Sequence, residues 1–435
     1  MSARFPNHLF VGVTTRQNTA NLAPLVQFGA TRYCPIQTPG ATRFGWGEGL
    51  KAVTAARSIQ HLHAIMLPAN TLTITGTVEV LRASLPGTVP IAWILGGGRK
   101  SEQLALWTVF QERCRSGLDD VGLYADPGSG ETILIREMTE QRIQTGADLS
   151  VDEVLACFGR LQQNGIPLTQ NANWDAKVQR FRHDQVYRRE WLHRTTGLPP
   201  KDLRAVLETM SDDQQLRQKT SDVLFQTLHQ RLEAAPGLRI DNLNKQRELA
   251  NSMVKALRNP RSWVPRPPPL PPLHGHQRFS TYFERLLQAL VARHTLAGLV
   301  NPKIVHRDHP EKIKAEHDVL LVTREATLVS LDAKTYSVAG KELDARLLQL
   351  SRASGQLSRF IVVFPYFLDD LEFFPPALRR LPFRLHALQQ PFAIFGPDEQ
   401  DLILDERSEV EPSRSGNHNG IRCQSVESCL ASLRL

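Results

Sequence analysis

The chain of 435 residues contains few of the sequence motifs that place a protein in a functional class, and it has little cysteine. Its five cysteines are scattered, with no CxxC pair and no Cys/His spacing typical of a zinc site. No stretch approaches the roughly 20 apolar residues that a membrane helix requires, and the N-terminus lacks a charged-then-apolar signal pattern. We therefore expect a cytoplasmic protein with free thiols and no membrane partner.

Two familiar nucleotide-binding motifs are also missing. The sequence has neither the G-x4-G-K-[ST] of a P-loop nor a GxGxxG coenzyme fingerprint. It does have three consecutive glycines, Gly96 to Gly98, between the apolar run Ile91 to Leu95 and a helix-like segment. Backbone N–H groups of such a turn can approach a phosphate, and Arg99 and Lys100 add positive charge, although a plain glycine-rich helix cap fits the same residues.

Length and bulk composition fit a globular protein of two or three domains, with 41% hydrophobic and 22% charged residues. The net charge of +8 mildly favours a polyanionic partner. The proline-rich stretch Pro265 to Pro272 is the clearest boundary and predicts a semi-rigid linker, with a ligand for a proline-binding domain as the alternative. We divide the chain into an N-terminal domain (1–145), a helical connecting region (146–264), the linker (265–273), a second α/β domain (274–400) and a flexible C-terminal tail (401–435).

The N-terminal domain begins with a strand, a polar loop and a helix. The apolar run His8 to Val13 predicts the strand, Thr14 to Asn21 the loop, and Leu22 to Phe28 the helix. A later apolar run, Ile91 to Leu95, predicts a buried parallel strand that enters the glycine turn. In open α/β sheets, ligands bind at loops that follow the carboxyl ends of strands. We therefore expect a ligand beside these two loops.

The connecting region is rich in arginine, lysine and glutamine. Apolar residues recur at helical spacing in Leu203 to Met210, Gln214 to Leu232 and Leu243 to Leu257. Aromatic and basic residues interleave between Phe181 and Trp191, which fits a nucleic-acid surface. An amphipathic helix with a solvated basic face is the simpler account of the same residues.

The stretch Glu316 to Lys334 predicts two β-rich strands joined by a short polar turn. Side chains two apart on a strand share a face, so Asp332 and Lys334 point the same way, as do Glu316 and Asp318. The folded hairpin is thus expected to gather two or three carboxylates and one ammonium group. Oxygen ligands gathered at one point suit Mg²⁺ or Mn²⁺.

Other polar residues flank this hairpin. His309 and His317 have the chemistry of an acid or a base, but we expect surface roles for both. Arg346, Gln349 and Arg352 lie at helical spacing after the second strand. One of them could orient a phosphate, although a surface position is the simpler account.

The hairpin resembles the core of PD-(D/E)xK nucleases. Asp318 is followed, after about thirteen residues, by Asp332-x-Lys334. Members of this family usually carry a further glutamate on the preceding helix, and Glu284 lies in the helix-like segment Phe279 to Ala292. The resemblance implies a restriction-endonuclease-like α/β fold. It also implies that Glu284, Asp318 and Asp332 hold Mn²⁺ or Mg²⁺ and that Lys334 positions the attacking water.

The two N-terminal loops resemble those of CARF domains, which are Rossmann-like sensors that dimerise and bind cyclic oligoadenylate across the dimer axis. Thr15, Gln17 and Asn21 match the S/T-x-Q-x-x-x-N loop of that family. The second loop is similar to the family's T-G-G-T-K turn, with Gly96 and Arg99 at the threonine positions. The resemblance implies a ligand site made of Thr14, Thr15, Gln17, Asn21, Gly96, Gly97, Gly98, Arg99 and Lys100.

A CARF domain followed by a PD-(D/E)xK domain resembles the CRISPR ancillary nucleases of type III systems. The resemblance implies a homodimer, activated by cyclic oligoadenylate (usually cyclic tetra-adenylate), that cleaves DNA, RNA or both in antiviral defence. The alternative is a ligand-gated nucleic-acid-binding regulator whose nuclease fold is degenerate and does not cut. Dependence of cleavage on a divalent metal and on Asp332 and Lys334 separates the two hypotheses.

Overall fold

The structure of the protein is a computed structural model. It describes residues 5–16, 18–126, 130–137, 139–185, 187–188, 223, 226, 279–334, 359–365, 385–386, 391–396, 402–404 and 421–433. Helices and strands alternate along this part of the chain, and the strands form three sheets. Of the described helices, none is both long enough and apolar enough to cross a bilayer.

Nine α-helices lie in the described part of the chain. They are α1 (Thr19–Gln27), α2 (Pro39–Arg43), α3 (Glu48–Ala56), α4 (Ile74–Ser84), α5 (Lys100–Arg115), α6 (Val151–Cys157), α7 (Ala172–His183), α8 (Phe279–His294) and α9 (Val426–Ser432). Polar side chains begin several of them, because the first N–H groups of a helix need acceptors. At α6, for example, Ser150 and Glu153 form a reciprocal capping box.

The first sheet belongs to the N-terminal domain. Its strands are β1 (Leu9–Val13), β2 (Arg32–Gln37), β3 (Gln60–His61), β4 (Ile65–Met66), β5 (Ile91–Ile94), β6 (Val121–Asp126), β7 (Glu131–Arg136) and β8 (Thr139–Gln144). Their order is β3-β2-β1-β5-β6-β7-β8, with β4 also paired to β2. β1 to β6 pair in parallel, and β7 and β8 complete the edge antiparallel. This is the predicted Rossmann-like arrangement, with the fully buried strands β1 and β5 side by side at its centre.

The second sheet carries the predicted hairpin. Its strands are β10 (Ile166–Pro167), β11 (Gly298–Val300), β14 (Val319–Val322), β15 (Leu328–Ala333), β16 (Arg359–Phe364), β17 (Phe392–Ile394), β18 (Leu402–Leu404) and β19 (Ile421–Ser425). Their order is β10-β11-β14-β15-β16-β17-β19-β18. The pairing is antiparallel from β10 to β15 and parallel from β15 to β19. A mixed sheet with α8 against β15 is the α/β fold expected of this part.

A third, small sheet joins the two regions. β9 (Arg160–Gln163) pairs with β12 (Lys303–His306), which pairs with β13 (His309–Glu316). β9 and β10 come from the region where only helices were expected, and both pair with strands beyond residue 297. One continuous apolar core runs from the first sheet through α6 and α7 to the second.

The C-terminal residues differ from the expected flexible tail. Within 401–435, β19 adds to the second sheet and α9 packs its apolar face inward. Val426, Cys429 and Leu430 are buried at helical spacing, and Ser425 caps the helix. The three helices expected between 203 and 257, the linker, and the helix carrying Arg346, Gln349 and Arg352 lie largely or wholly outside the described residues.

Candidate functional site

The hairpin register brings Asp318 opposite Asp332. Val319 pairs with Leu331 at the start of β14, so the preceding residue, Asp318, faces Asp332 across the two strands. Opposed residues of an antiparallel pair share a face of the sheet. Asp318 Oδ2 also accepts a hydrogen bond of 2.7 Å from the backbone nitrogen of Ala333. The two carboxylates therefore lie on one face, with Asp318 fixed from the neighbouring strand.

Lys334 lies on the same face as Asp332. Its ammonium group forms an ion pair with Asp332 Oδ2, and both side chains are almost completely buried. The backbone nitrogen of Lys334 donates to the carbonyl oxygen of Val363 at 2.9 Å, which keeps this residue in the sheet beside β16. An unpaired buried charge is strongly unfavourable, so this carboxylate and this ammonium group hold each other in place.

The helix α8 supplies Glu284 and Gln288, which are one turn apart and so share a face. Gln288 Nε2 donates to the carbonyl oxygen of Asp318 at 3.3 Å and to Asn301 Oδ1 at 3.1 Å. Asn301 in turn donates its backbone N–H to the same Asp318 oxygen at 3.2 Å. These bonds hold the face of α8 that carries Glu284 over the start of β14. Gln288 was not predicted from the sequence, because its partner is remote in the chain.

The raised pKa of Asp318 shows that negative charge is in excess in this cluster. Burial raises the pKa of Asp318 to about 8, and the negative charges of Asp332 and Glu284 contribute to the rise. Lys334 and the Ala333 N–H act in the opposite direction but do not cancel it. Three carboxylates with one ammonium group would carry a net charge of −2 if all were ionised (−3 + 1). The cluster is therefore short of positive charge.

A bound metal ion would remove this deficit of positive charge. Three carboxylates are the ligand type that Mg²⁺ and Mn²⁺ prefer, and a divalent cation matches the missing charge. Among the described residues, no three acidic, histidine or cysteine side chains are already arranged as a metal-binding group. Asp332 would therefore have to exchange part of its contact with Lys334 for the ion. In charge and chemistry, the donor set of Glu284, Asp318 and Asp332 fits a divalent ion.

Two of three neighbouring residues lie elsewhere than expected, and the third, His309, lies on the surface as expected. His317 is buried rather than on the surface, and its Nδ1 lies 2.7 Å from Ser330 Oγ. His309 is exposed and pairs with Glu311 on its own strand, in keeping with a surface role. Glu316 ends β13, where its side chain is 58% exposed and its carboxylate lies 3.1 Å from the Lys303 ammonium group rather than being buried with Asp318.

The two N-terminal loops lie side by side because β1 and β5 are adjacent parallel strands. An added Cβ at Gly97 would come within 3.1 Å of the Val13 carbonyl oxygen and 3.5 Å of Thr15 Cγ2. Gly98 has a φ of +95°, a region that side-chain-bearing residues rarely adopt. The glycines thus allow the second loop to lie directly against the first.

Within the first loop, Asn18 and Asn21 hold the backbone. Asn21 is completely buried, and its Nδ2 donates to the Val13 carbonyl oxygen at 2.8 Å and to Asn18 Oδ1 at 3.2 Å. Asn18 Oδ1 also accepts from the backbone N–H of Thr15 at 3.0 Å. In this arrangement Asn21 acts on the loop itself. Gln17 lies outside the described residues.

Thr14 and the second loop present the remaining polar groups. Thr14 is buried, and its hydroxyl has no hydrogen-bond partner within the described part of the chain. Arg99 and Lys100 are exposed at the start of α5. Glu102, which the sequence did not single out, is buried and accepts the Arg99 N–H at 2.7 Å. A carboxylate therefore caps the helix start that was expected to attract a phosphate.

No protein-family model matches the chain, and no curated protein matches its sequence. Solved structures do resemble it in fold. Protein VC1899 from Vibrio cholerae is 13% identical, with a TM-score of 0.54 over 89% of this chain and 94% of that one. Can2 from Sulfobacillus thermosulfidooxidans, in complex with cyclic tetra-adenylate, is 14% identical, with a TM-score of 0.50 over 88% and 95% of the two chains.

A third match, a type III CRISPR defence DNA nuclease activated by cyclic oligoadenylate, is 13% identical over 82% of this chain and 45% of that one. Its TM-score is 0.45. At such low identities, the likeness to the first two structures establishes a shared fold and nothing about ligands or reactions.

Proposed function

We propose that this protein is a cyclic oligoadenylate-activated, divalent-metal-dependent endonuclease that cleaves DNA, RNA or both, in type III CRISPR antiviral defence. The observation that carries the proposal is the cluster on one face of the second sheet. There Asp318 faces Asp332, Lys334 contacts Asp332, and the charge of Glu284 acts on Asp318. The likeness in fold to Can2, whose structure holds cyclic tetra-adenylate, supports the sensor part of the proposal.

In the proposed reaction, Glu284, Asp318 and Asp332 hold one or two Mn²⁺ or Mg²⁺ ions. Such an ion supplies positive charge beside the phosphate and lowers the pKa of a water molecule. Lys334 positions the attacking water and stabilises the charge that develops on the phosphate oxygens. The hydrogen bond from Gln288 holds the Asp318 backbone against α8, so that Glu284 and Asp318 approach the same point.

In the proposed sensor, the ligand lies against the loops after β1 and β5 in a homodimer. The first loop supplies polar contacts through Thr14, Thr15 and Gln17. Asn21 holds the conformation of that loop through its hydrogen bond to the Val13 carbonyl oxygen. The glycines Gly96, Gly97 and Gly98 allow close approach of a phosphate, and Arg99 and Lys100 add charge. Binding repositions the nuclease region and so activates it.

The decisive experiment is cleavage of labelled single-stranded DNA and RNA, in parallel, with Mn²⁺ and with or without cyclic tetra- or hexa-adenylate. We expect activator-dependent cutting that Asp332→Ala abolishes. Asp119→Ala is the matched control, because it removes a carboxylate that is 55% exposed in the loop before β6 of the first sheet.

Each outcome distinguishes one part of the proposal from another. Cutting that needs no activator would support the nuclease part of the proposal and contradict the sensor part. Binding of nucleic acid without cutting, with either metal and either ring, would favour the ligand-gated regulator. Equal loss of activity in Asp332→Ala and Asp119→Ala would reject the assigned site.

A further inference from the structure

Arg160 begins β9 at the junction between the N-terminal domain and the small third sheet. The preceding helix α6 packs closely on the N-terminal domain: an added Cβ at Gly49 of α3 would lie 1.7 Å from the carbonyl oxygen of Ala156. The chain then turns at Gly159, whose φ is +65°. This contact and this turn fix the position of Arg160 beside the N-terminal domain.

Arg160 lacks an anionic partner in the described structure. Its Nε and Nη1 atoms are buried and have no hydrogen-bond partner among the described residues, although the side chain as a whole is partly exposed. Burial lowers the pKa of Arg160, and the like charge of Arg16 lowers it further. The charge of Arg16, whose side chain is exposed, therefore acts on Arg160, and none of the described ion pairs neutralises Arg160. Buried donors without acceptors and neighbouring like charges both cost free energy, which an anion between them would relieve.

Asp308, in the turn between β12 and β13, forms none of the described ion pairs with Arg160. His306 pairs with Arg160 across β9 and β12, and its ring lies 3.6 Å from Asp308, which is 76% exposed. Burial lowers the pKa of His306, and the positive charge of Arg160 lowers it further. The charge of Arg160 thus acts on His306, and Asp308 lies beside His306 on the exposed side.

We propose that Arg160 and Arg16 together bind a phosphate group of the ligand held by the N-terminal domain, so that the ligand site includes a residue from outside that domain. Taking this ligand to be a cyclic oligoadenylate rests on the function proposed above. Guanidinium groups bind phosphate oxygens through paired N–H donors. Arg16 lies on the loop from Thr14 to Asn21, which favours a phosphodiester of the ring over the backbone of a nucleic-acid substrate.

The position of Arg160 gives this contact a route to the nuclease cluster. β9 pairs with β12, and the two residues just before β12 are bonded to the hairpin. The Asn301 N–H donates to the Asp318 carbonyl oxygen, and the His317 N–H donates to the Pro302 carbonyl oxygen, each at 3.2 Å. A phosphate that draws Arg160 towards Arg16 therefore acts on the strand that carries Asp318 through backbone hydrogen bonds.

The test compares the full-length wild type with Arg160→Met, Arg160→Lys and Arg324→Met. Methionine keeps much of the apolar stem and removes the charge, and Arg324→Met removes the same charge from an exposed turn at the far end of the hairpin. Affinity for cyclic tetra-adenylate is measured by calorimetry, and stabilisation by inorganic pyrophosphate is measured by thermal unfolding. We expect Arg160→Met to bind the ring about ten- to a hundredfold more weakly, Arg160→Lys less so, and Arg324→Met unchanged. Without ligand, Arg160→Met should melt no lower than the wild type.

The two arms separate failure of this inference from failure of the proposed function. Unchanged ring affinity in Arg160→Met overturns the inference and leaves the sensor intact. A lower melting temperature of both Arg160 variants without ligand, with no rescue by lysine, assigns Arg160 a structural role and also overturns it. If the wild type binds no ring, the sensor proposal fails. The anion site then stands only if pyrophosphate stabilises the wild type and not Arg160→Met.

Discussion

At the scale of single residues, the fold moves the ionisation of Asp318 into the neutral pH range. Its pKa is raised from 3.8 to about 8, first by burial and then by Asp332 and Glu284. Between these two values the folded chain holds a proton that the unfolded chain has lost, so stability falls as pH rises from about 4 to about 8. We predict that Asp318→Asn removes this contribution and, with EDTA present, melts higher than the wild type at pH 8.

Thermal unfolding from pH 4 to 9 in EDTA measures this effect. Other groups also titrate in this window, so the informative quantity is the difference in melting temperature between the wild type and Asp318→Asn at each pH. Asp119→Asn, at an exposed position, is expected to show no such pH-dependent difference. A difference for Asp318→Asn that stays constant across the window would contradict the raised pKa.

Lys334 allows metal binding to be separated from the chemistry. Its ammonium group contacts the Asp332 carboxylate, which is a proposed metal ligand, so the lysine and the metal compete for one group. We predict that Lys334→Met binds Mn²⁺ more tightly than the wild type but cleaves at least about a hundredfold more slowly, because charge stabilisation is lost. Calorimetric titration with Mn²⁺ and single-turnover cleavage measure the two effects. Weaker Mn²⁺ binding in this variant would indicate that Lys334 orders the carboxylates.

The residues predicted from the sequence are those whose relation is local. Asp332 and Lys334 share a strand, and their common face follows from the alternation of side chains. Their roles in catalysis stay a prediction. Gln288 and Glu102 were not predicted, since a glutamine on a helix and a glutamate in a first helical turn are ordinary, and only tertiary structure reveals what they bind.

At the scale of elements, apolar strands were predictable and short polar ones were not. The hairpin strands β14 and β15 were predicted from their β-rich runs and are confirmed within one or two residues. β9 and β10 have the sequences RLQQ and IP, which carry no strand signal of their own. They are strands because β12 and β11, far along the chain, offer them backbone partners. Pairing of this kind cannot be deduced from a local pattern.

Gly12 in β1 is a position where one element packs directly against two others. An added Cβ would lie 2.5 Å from Asn21 Oδ1 and 3.2 Å from Ile94 Cβ, and Asn21 is held by its bonds to Val13 and Asn18. We predict that Gly12→Ala displaces Asn21, lowers the free energy of unfolding by about 1–3 kcal/mol and weakens binding of cyclic tetra-adenylate. Urea denaturation and calorimetry measure the two effects.

Gly87→Ala is the matched control for this variant, because an added Cβ there meets nothing within 4 Å. It should leave stability within about 0.5 kcal/mol of the wild type and ligand affinity unchanged. If Gly12→Ala loses stability but binds the ring normally, the loop after β1 does not take part in binding. Normal behaviour in both respects would mean that Asn21 can move at little cost.

At the scale of the whole molecule, the C-terminal residues pack against the second sheet and its helices. Arg182 on α7 forms a largely buried ion pair with Glu427 on α9, and it also donates to the carbonyl oxygens of Phe395 and Gly396 at 3.2 and 3.3 Å. α7 packs on α8, where Tyr187 and Tyr282 place their hydroxyl groups 2.7 Å apart. The end of the chain is thereby connected to the helix that carries Glu284.

This connection predicts a stability effect that a flexible tail would not produce. Glu427→Gln leaves the Arg182 guanidinium buried without its counter-charge, and we expect it to lower the free energy of unfolding by about 3 kcal/mol. Asp119→Asn breaks an ion pair whose side chains are more than half exposed, and it should cost less than about 1 kcal/mol. Urea denaturation of the two isosteric variants measures the contrast. Equal and small effects would mean that residues 421–433 do not stay docked in solution, and Glu284 would then be positioned by α7 and β15 without them.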